Sequence, residues 1–190
     1  MNNLFNEIED EIFINESIIF NKQKIKEKVN SVIFTKLNEK QGNEKHFLFE
    51  EIIFQFFEYL NIPIVKTKKT RDFGIDGIIK LNLELLGEID LGIQIKDTVI
   101  DSMDIDNFLS SLKNSELRLG LIICNKSRNL QKYELNTKIR AILLSKGIKI
   151  KENLINQSIN LNPIFILKTE DILDIYVSRL RGIIESIYKK

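Results

Sequence analysis

The chain has 190 residues, of which 43% are hydrophobic and 29% are charged. This is enough apolar material for one compact core with a helical extension, and the formal net charge of +1 excludes a generally basic protein that coats nucleic acid. The only cysteine, Cys124, excludes an intrachain disulfide and a cysteine-rich zinc site, and we expect it to be a small buried residue in a strand. No apolar run approaches the about 18 residues of a membrane span and no signal-like N-terminus is present, which predicts a soluble protein of the reducing cytoplasm.

Charge is distributed unevenly along the chain. Residues 1–21 contain five acidic side chains and no basic one, whereas residues 120–190 contain thirteen Lys or Arg against six Asp or Glu, a net of +7. A polyanion would therefore prefer the C-terminal two-thirds of the protein.

The N-terminal segment predicts two helices. Apolar residues recur at helical spacing between residues 4 and 37, with no Gly or Pro to interrupt them. We expect these helices to cover the core or to pair with a second subunit. Residues 40–43 contain Gly and Asn, which punctuate helices, and so predict the boundary of this segment.

The clearest predicted helix covers residues 46–60, where apolar side chains line one face. At about 100° per residue, Glu50 falls at the edge of the apolar face and Glu51 on the far, solvated side. Position therefore favours Glu50 over Glu51 for a functional site. The only histidine, His46, is expected to be a surface or capping residue, and its isolation argues against Ser-His-Asp or Cys-His catalysis.

A basic loop follows this helix. Pro63 ends the helix, and a strand is predicted to begin near Ile64. Four basic residues then fall within six positions, directly before a Gly-Ile-Asp-Gly segment at residues 74–77: Lys66, Lys68, Lys69 and Arg71. A charge run is usually a solvated loop, but beside a cluster of acidic residues we expect it to guide phosphates.

The Gly-Ile-Asp-Gly segment places Asp76 beside glycines that permit close backbone approach of a phosphate. Strands predicted at residues 81–86 and 91–96 form a hairpin around residues 87–90, so we expect Glu88 and Asp90 to be turn residues. Side chains alternate between the two faces of a strand, so Gln94 and Lys96 share one side while their apolar neighbours enter the core. An acid, an amide and a lysine therefore converge.

The rest of the chain alternates helix and strand. The pattern predicts a helix over residues 103–112 entered through residues 101–102, a strand buried on both faces over 119–124, a helix over 134–145, a short strand at 148–150 and a polar loop over 152–162. A long helix follows a cap at residues 169–171. Its apolar stripe from Leu173 to Ile187 is typical of a core-facing helix and can equally pair two subunits.

These motifs resemble the PD-(D/E)xK nuclease superfamily and, within it, the Mrr-like restriction endonucleases, whose pattern reads G-x-D-G and then Q-x-K or E-x-K. The Phe49-Glu50 pair matches the family's helix glutamate, and the resemblance covers residues 45–150. It implies an α/β fold, a restriction-endonuclease-like mixed β-sheet flanked by helices, with additional N-terminal and C-terminal helices. With the boundary predicted at residues 40–43, the chain divides into an N-terminal helical extension, 1–42, and a nuclease-like domain, 43–190, that includes a C-terminal helix. One departure is Asp97-Thr98 after the motif lysine, where Mrr-like sequences often carry basic residues.

The resemblance also implies what each site residue does. Asp76 would ligate a divalent cation, helped by Gln94 and the backbone carbonyl of Ile95. Glu50 would help to hold the cation because Gln94 brings no charge, and Lys96 would orient or activate the attacking water or stabilise negative charge. Hard oxygen ligands favour Mg²⁺, with Mn²⁺ as a substitute. The basic loop, Lys66, Lys68, Lys69 and Arg71, would contact DNA.

The activity that follows from the resemblance is Mg²⁺-dependent endonucleolytic cleavage of DNA in restriction or anti-phage defence. A Holliday-junction resolvase of the same superfamily is the nearest enzymatic alternative. The non-enzymatic alternative is a DNA-binding or assembly subunit that keeps the fold. Because one centre cuts one strand of a duplex, we expect a homodimer or a subunit of a larger defence complex.

Overall fold

A computed structural model describes residues 3–15, 21–67, 74–83, 87–127 and 164–188. The described helices are α1 (Leu4–Asn15), α2 (Lys22–Asn38), α3 (Gly42–Tyr59), α4 (Ser102–Asn114) and α5 (Thr169–Tyr188). The described strands are β1 (Ile64–Lys66), β2 (Gly77–Leu83), β3 (Gly87–Ile100), β4 (Leu119–Ser127) and β5 (Ile164–Lys168). The helix and strand predicted between residues 134 and 150, and the polar loop after them, lie outside the described residues. None of the described helices is long and apolar enough to cross a membrane.

The described strands form one mixed sheet in the order β1-β2-β3-β4-β5. β1 pairs with β2 and β2 with β3 in antiparallel fashion, whereas β4 is parallel to both of its neighbours, β3 and β5. Helix α4 connects β3 to β4 and packs on one face of the sheet, while the other described helices pack on the opposite face. The predicted α/β fold, a mixed sheet flanked by helices with additional terminal helices, is confirmed.

β4 is buried on both faces, as its continuous apolar run predicts. Leu121 and Ile123 face the larger core, which α1, α2, α3 and α5 cover. Ile122 and Cys124 face the smaller core under α4. Every side chain described from Leu119 to Cys124 is therefore enclosed between two helical layers, as expected for a central parallel strand.

The two N-terminal helices cover the larger core. Tyr59 on α3 donates from its hydroxyl to Glu9 Oε2 at 2.6 Å, and Tyr176 on α5 donates to the Phe5 carbonyl at 2.9 Å. Burial, reinforced by the nearby Glu9 carboxylate, raises the pKa of both tyrosines, so both hydroxyls remain donors. Of the two roles expected for α1 and α2, covering the core is seen directly.

The apolar stripe of α5 also packs within the chain. Leu173, Tyr176, Val177 and Leu180 are buried in the larger core. The strand that precedes this helix, β5, was not predicted. Its signal was present in the sequence, because Ile-Phe-Ile-Leu directly after a proline is a short, continuous apolar run typical of a buried strand.

The prediction that Glu88 and Asp90 are turn residues is wrong. β3 begins at Gly87, and in the antiparallel ladder Glu88 pairs with Asn82 and Asp90 with Lys80. Ile89, between the two acids, packs against the larger core. The alternation of polar and apolar residues therefore outweighs the turn-like composition of Gly-Glu-Ile-Asp, because the facing strand supplies ladder hydrogen bonds.

Candidate active site

The candidate site lies where β2 and β3 separate. Their ladder reaches Gly77 opposite Ile93, and the Asp76 backbone N–H donates to the Ile93 carbonyl at 2.7 Å. One step further, the N–H of Ile95 donates to the side-chain Oδ2 of Asp76 at 2.6 Å. The Thr67 hydroxyl donates to the carbonyl of Ile75. The Asp76 carboxylate is thus fixed at a fork between two strands.

Glu50 and Asp76 line the same pocket at this fork. The pocket has a volume of about 220 Å³ and is also lined by Phe47, Glu51, Phe54, Lys66 and Thr67. The Glu50 side chain is 11% exposed and the Glu51 side chain 46%. Glu50 is the more buried of the two, as its helical phase predicts. Glu51 does not lie on the far side of the helix, however, because it reaches the rim of the same pocket.

Gln94 lies beside the glycine that opens the Gly-Ile-Asp-Gly segment. Its Nε2 donates to the Gly74 carbonyl at 2.8 Å. Gly74 has a positive φ of 80°, a conformation that favours glycine, and a Cβ there would lie 3.1 Å from Gln94 Nε2, so a larger residue would press on this side chain. Gln94 Oε1 is buried and has no hydrogen-bond partner among the described residues. Within the described part of the chain, this amide oxygen is therefore an unused hydrogen-bond acceptor on β3.

Lys96 projects toward α4. Its Nζ lies 2.7 Å from Asp104 Oδ1, and the other oxygen of Asp104 accepts from the Asp101 N–H in the capping box of α4. Burial alone would raise the pKa of Asp104, but the hydrogen bonds from Lys96 and the Asp101 backbone outweigh it and hold this pKa below its ordinary value. The lysine is therefore held by the first turn of a helix that sequence reasoning did not connect with it.

The structure describes one member of the basic loop. Lys66 Nζ lies 2.7 Å from Glu51 Oε2 and 4.5 Å from the centre of the Phe54 ring. It therefore lies at the rim of the pocket that contains Glu50 and Asp76. The other three members, Lys68, Lys69 and Arg71, lie outside the described residues.

Two further residues at the site were missed. His46 was expected to be a surface or capping residue, but its ring nitrogens lie 2.9 Å from Glu50 Oε1 and 3.4 Å from Asp97 Oδ1. The spacing of His46 and Glu50 was a usable signal, because residues four apart meet on a helix. Asp97 stands out in the sequence only as a departure from the basic residues that often follow the motif lysine, and no pattern there assigns it to the site.

The donor set fits a hard divalent cation. No group of three His, Cys, Asp or Glu side chains among the described residues is arranged to hold a metal ion by itself, and the acids that line the pocket are Glu50, Glu51 and Asp76. Mg²⁺ commonly binds through one or two carboxylates and keeps several waters. Gln94 is not among the residues that line the pocket of Glu50 and Asp76, but its buried Oε1 is an oxygen of the type that such an ion binds.

Comparison with known proteins identifies the family of the chain. A family model described as a restriction endonuclease, the Mrr-type catalytic domain Mrr_cat, matches residues 43–154, which is more than half of the chain. No curated protein is significantly similar to the chain.

Two solved structures are also similar to the chain. One is the DNA modification-dependent restriction endonuclease AspBHI, with 16% identity and a TM-score of 0.48 over 90% of this chain and 44% of that one. The other is the Moraxella osloensis Cap4 SAVED/CARF-domain containing receptor, with 11% identity and a TM-score of 0.37 over 72% of this chain and 35% of that one. The chain spans less than half of either structure. By the match over residues 43–154, it belongs to the restriction endonuclease family with the Mrr-type catalytic domain.

Proposed function

We propose that the chain is a Mg²⁺-dependent DNA endonuclease that acts in the cytoplasm in restriction or anti-phage defence. Family membership supports cleavage of DNA. The observation that carries the proposal is the meeting of Glu50 and Asp76 in one small pocket at the fork of β2 and β3. Two carboxylates that share a site repel each other, and a bound cation relieves this repulsion, so the shared pocket supports the proposal of a cation site.

Four groups of this chain would hold the cation: the carboxylates of Asp76 and Glu50, the side-chain Oε1 of Gln94 and the backbone carbonyl of Ile95. The N–H and C=O of one strand residue leave the strand on the same side. Because the Ile95 N–H donates to Asp76, its carbonyl also leaves β3 toward the fork. The chemistry that the ion would supply is a lower pKa for the attacking water and neutralisation of the charge that develops on the phosphate.

Lys96 would supply a fixed positive charge to the reacting phosphate. Its ion pair with Asp104 would hold the lysine in a defined position at the first turn of α4. Asp76 would orient the backbone of Ile95 and so couple the two strands that carry the site. Glu50 would supply a second carboxylate to the cation.

The basic loop would contribute affinity for DNA. Lys66 at the rim of the pocket, followed by Lys68, Lys69 and Arg71, would contact phosphates without reading the base sequence. Because one centre cuts one strand, a homodimer or a defence complex with two such centres would be needed to break a duplex.

The test is cleavage of supercoiled plasmid DNA in Mg²⁺, in Mn²⁺ and in EDTA. We expect nicked and linear products only when a divalent cation is present. A metal-independent mobility shift of intact DNA would favour a non-catalytic DNA-binding subunit, and preferential cleavage of four-way junctions would favour a resolvase. No metal-dependent cleavage of any of these substrates would contradict the proposal.

A further inference from the structure

His46 joins two carboxylates at the candidate site. Its Nε2 lies 2.9 Å from Glu50 Oε1, one helical turn away on α3. Its Nδ1 lies 3.4 Å from Asp97 Oδ1 on β3. One imidazole therefore connects the helix that carries Glu50 to the strand that carries Lys96.

Asp97 is itself fixed on the sheet. β3 changes its register against β4 between Lys96 and Val99, and irregularities of this kind re-aim side chains near the ends of strands. The Asn125 side chain donates to the Asp97 carbonyl and accepts a hydrogen bond from the Thr169 hydroxyl at 2.9 Å. His46 thus contacts a strand segment that is tied to β4 and α5.

His46 compensates the Glu50 carboxylate for its partial withdrawal from water. Its side chain is 11% exposed, against 36% for His46, and a carboxylate withdrawn from water is costly unless hydrogen bonds or charges compensate it. It also shares its pocket with the like charge of Asp76. A carboxylate has several acceptor sites, so a hydrogen bond from His46 to Oε1 is compatible with metal ligation by the same side chain.

We infer that His46 is a positioning residue that holds the Glu50 carboxylate in place for the divalent cation, with Asp97 holding the other side of the imidazole. This inference rests on the proposed function. Both ring nitrogens face carboxylates of the protein, so His46 acts through Glu50 and not on the substrate. Loss of an outer partner of this kind typically weakens metal binding about 10–100-fold.

Mn²⁺ binding without DNA tests this role independently of cleavage. The EPR signal of free Mn²⁺ would be followed during titration into the wild type, His46→Ala, His46→Gln and Asn43→Ala, an exposed position in the first turn of the same helix. We expect binding about tenfold weaker or more in His46→Ala and unchanged in Asn43→Ala. His46→Gln should recover most of the affinity, because its amide can donate to Glu50.

Variants of Asp97 provide a second test of the positioning role. Asp97→Ala should weaken Mn²⁺ binding less than His46→Ala and should have no additional effect in the His46→Ala background, because it acts through the imidazole. If His46→Ala does not fold, the Mn²⁺ affinities of Asp97→Ala and His46→Gln still test the positioning role: weaker binding in the first and nearly wild-type binding in the second would support it. Wild-type affinity in Asp97→Ala together with weak binding in His46→Gln would overturn the bridging role.

Glu50→Gln separates this inference from the proposed function. If Glu50→Gln weakens Mn²⁺ binding while His46→Ala binds like the wild type, the positioning role is wrong and the metal site stands. If Glu50→Gln itself binds Mn²⁺ like the wild type, the assignment of Glu50 to the metal site is wrong, and the role of His46 is overturned with it.

Discussion

Replacing Asp76 with Asn should leave the fold nearly intact, whereas replacing it with Ala should weaken it. Oδ2 of Asp76 accepts a hydrogen bond from the Ile95 N–H at 2.6 Å, at the point where the backbone ladder of β2 and β3 ends. An Asn side chain can offer an amide oxygen to the same N–H. Ala cannot, and it leaves this donor without its acceptor at a half-buried position.

The magnitude follows from the hydrogen bond. Leaving a buried donor without its acceptor costs about 1–3 kcal/mol. Because Asp76 is only half-buried, we expect about 1–2 kcal/mol for Asp76→Ala. In a chain of this size each 1 kcal/mol shifts Tm by about 2–4 °C, so Tm should fall by about 2–8 °C. Asp76→Asn exchanges a charged acceptor for a neutral one and should cost less than about 1 kcal/mol.

The assay is thermal unfolding of the three proteins followed by circular dichroism, with EDTA present so that metal binding does not contribute. We expect Asp76→Asn to unfold near the wild type and Asp76→Ala clearly below it. Equal Tm values for Asp76→Ala and the wild type would refute the structural role of the Asp76–Ile95 hydrogen bond. A loss in Asp76→Asn as large as in Asp76→Ala would show that the charge matters and the acceptor does not.

Three further predictions follow from the packing and the charges. Gly120→Ala should destabilise the protein by about 1–3 kcal/mol, because its Cβ would lie 2.5 Å from two side chains of α4. Gly182 lies in open space, so Gly182→Ala should stabilise the protein by up to about 1 kcal/mol. Equal urea midpoints for Gly120→Ala and the wild type would contradict the packing of α4 on β4. The pKa of Asp104 is held below its ordinary value, so its contribution to stability is present above the unfolded pKa and is lost as pH falls through the folded pKa. The stability difference between wild type and Asp104→Asn should therefore shrink in acid, and a difference that does not change with pH would count against the Lys96 ion pair. Changing the three members of the basic loop after Lys66 to Ala should weaken DNA binding. The slope of log K against log salt concentration should become shallower by about 0.9 for each lost phosphate contact. An unchanged slope, measured by fluorescence anisotropy, would mean that the loop is solvated and does not contact phosphates.

Much of the fold could be read from local patterns. The apolar spacing of α3 and the continuous apolar run of β4 depend only on neighbouring residues, and both elements appear where the sequence predicts them. Glu88 and Asp90 were misassigned because turn composition and strand alternation pointed in different directions, and only the facing strand decides between them. Elements whose identity depends on a distant partner are the ones that local patterns misjudge.

The same division holds at the candidate site. Helical phase and motif spacing brought Glu50 and Asp76 to attention, and the two share a pocket. Neither the Lys96–Asp104 contact nor the bridge from His46 to Asp97 could be predicted, since each depends on which helix face meets β3. Judged from the sequence alone, Asp76→Ala is a surface substitution that should cost less than about 0.5 kcal/mol of stability. The hydrogen bond from the Ile95 N–H to the Asp76 side chain raises this expected cost.

The most direct test of the central claim is the rate at which wild type and Asp76→Asn nick supercoiled plasmid in Mn²⁺ or Mg²⁺, measured at matched concentrations of folded protein. Asp76→Asn retains the acceptor for Ile95 but removes the charge proposed to hold the cation. We expect wild-type nicking to saturate with metal concentration and Asp76→Asn to nick at least about 100-fold more slowly, a barrier increase of about 2.7 kcal/mol. Nicking by Asp76→Asn at the wild-type rate would contradict the claim that Asp76 is the centre of a metal-dependent nuclease site.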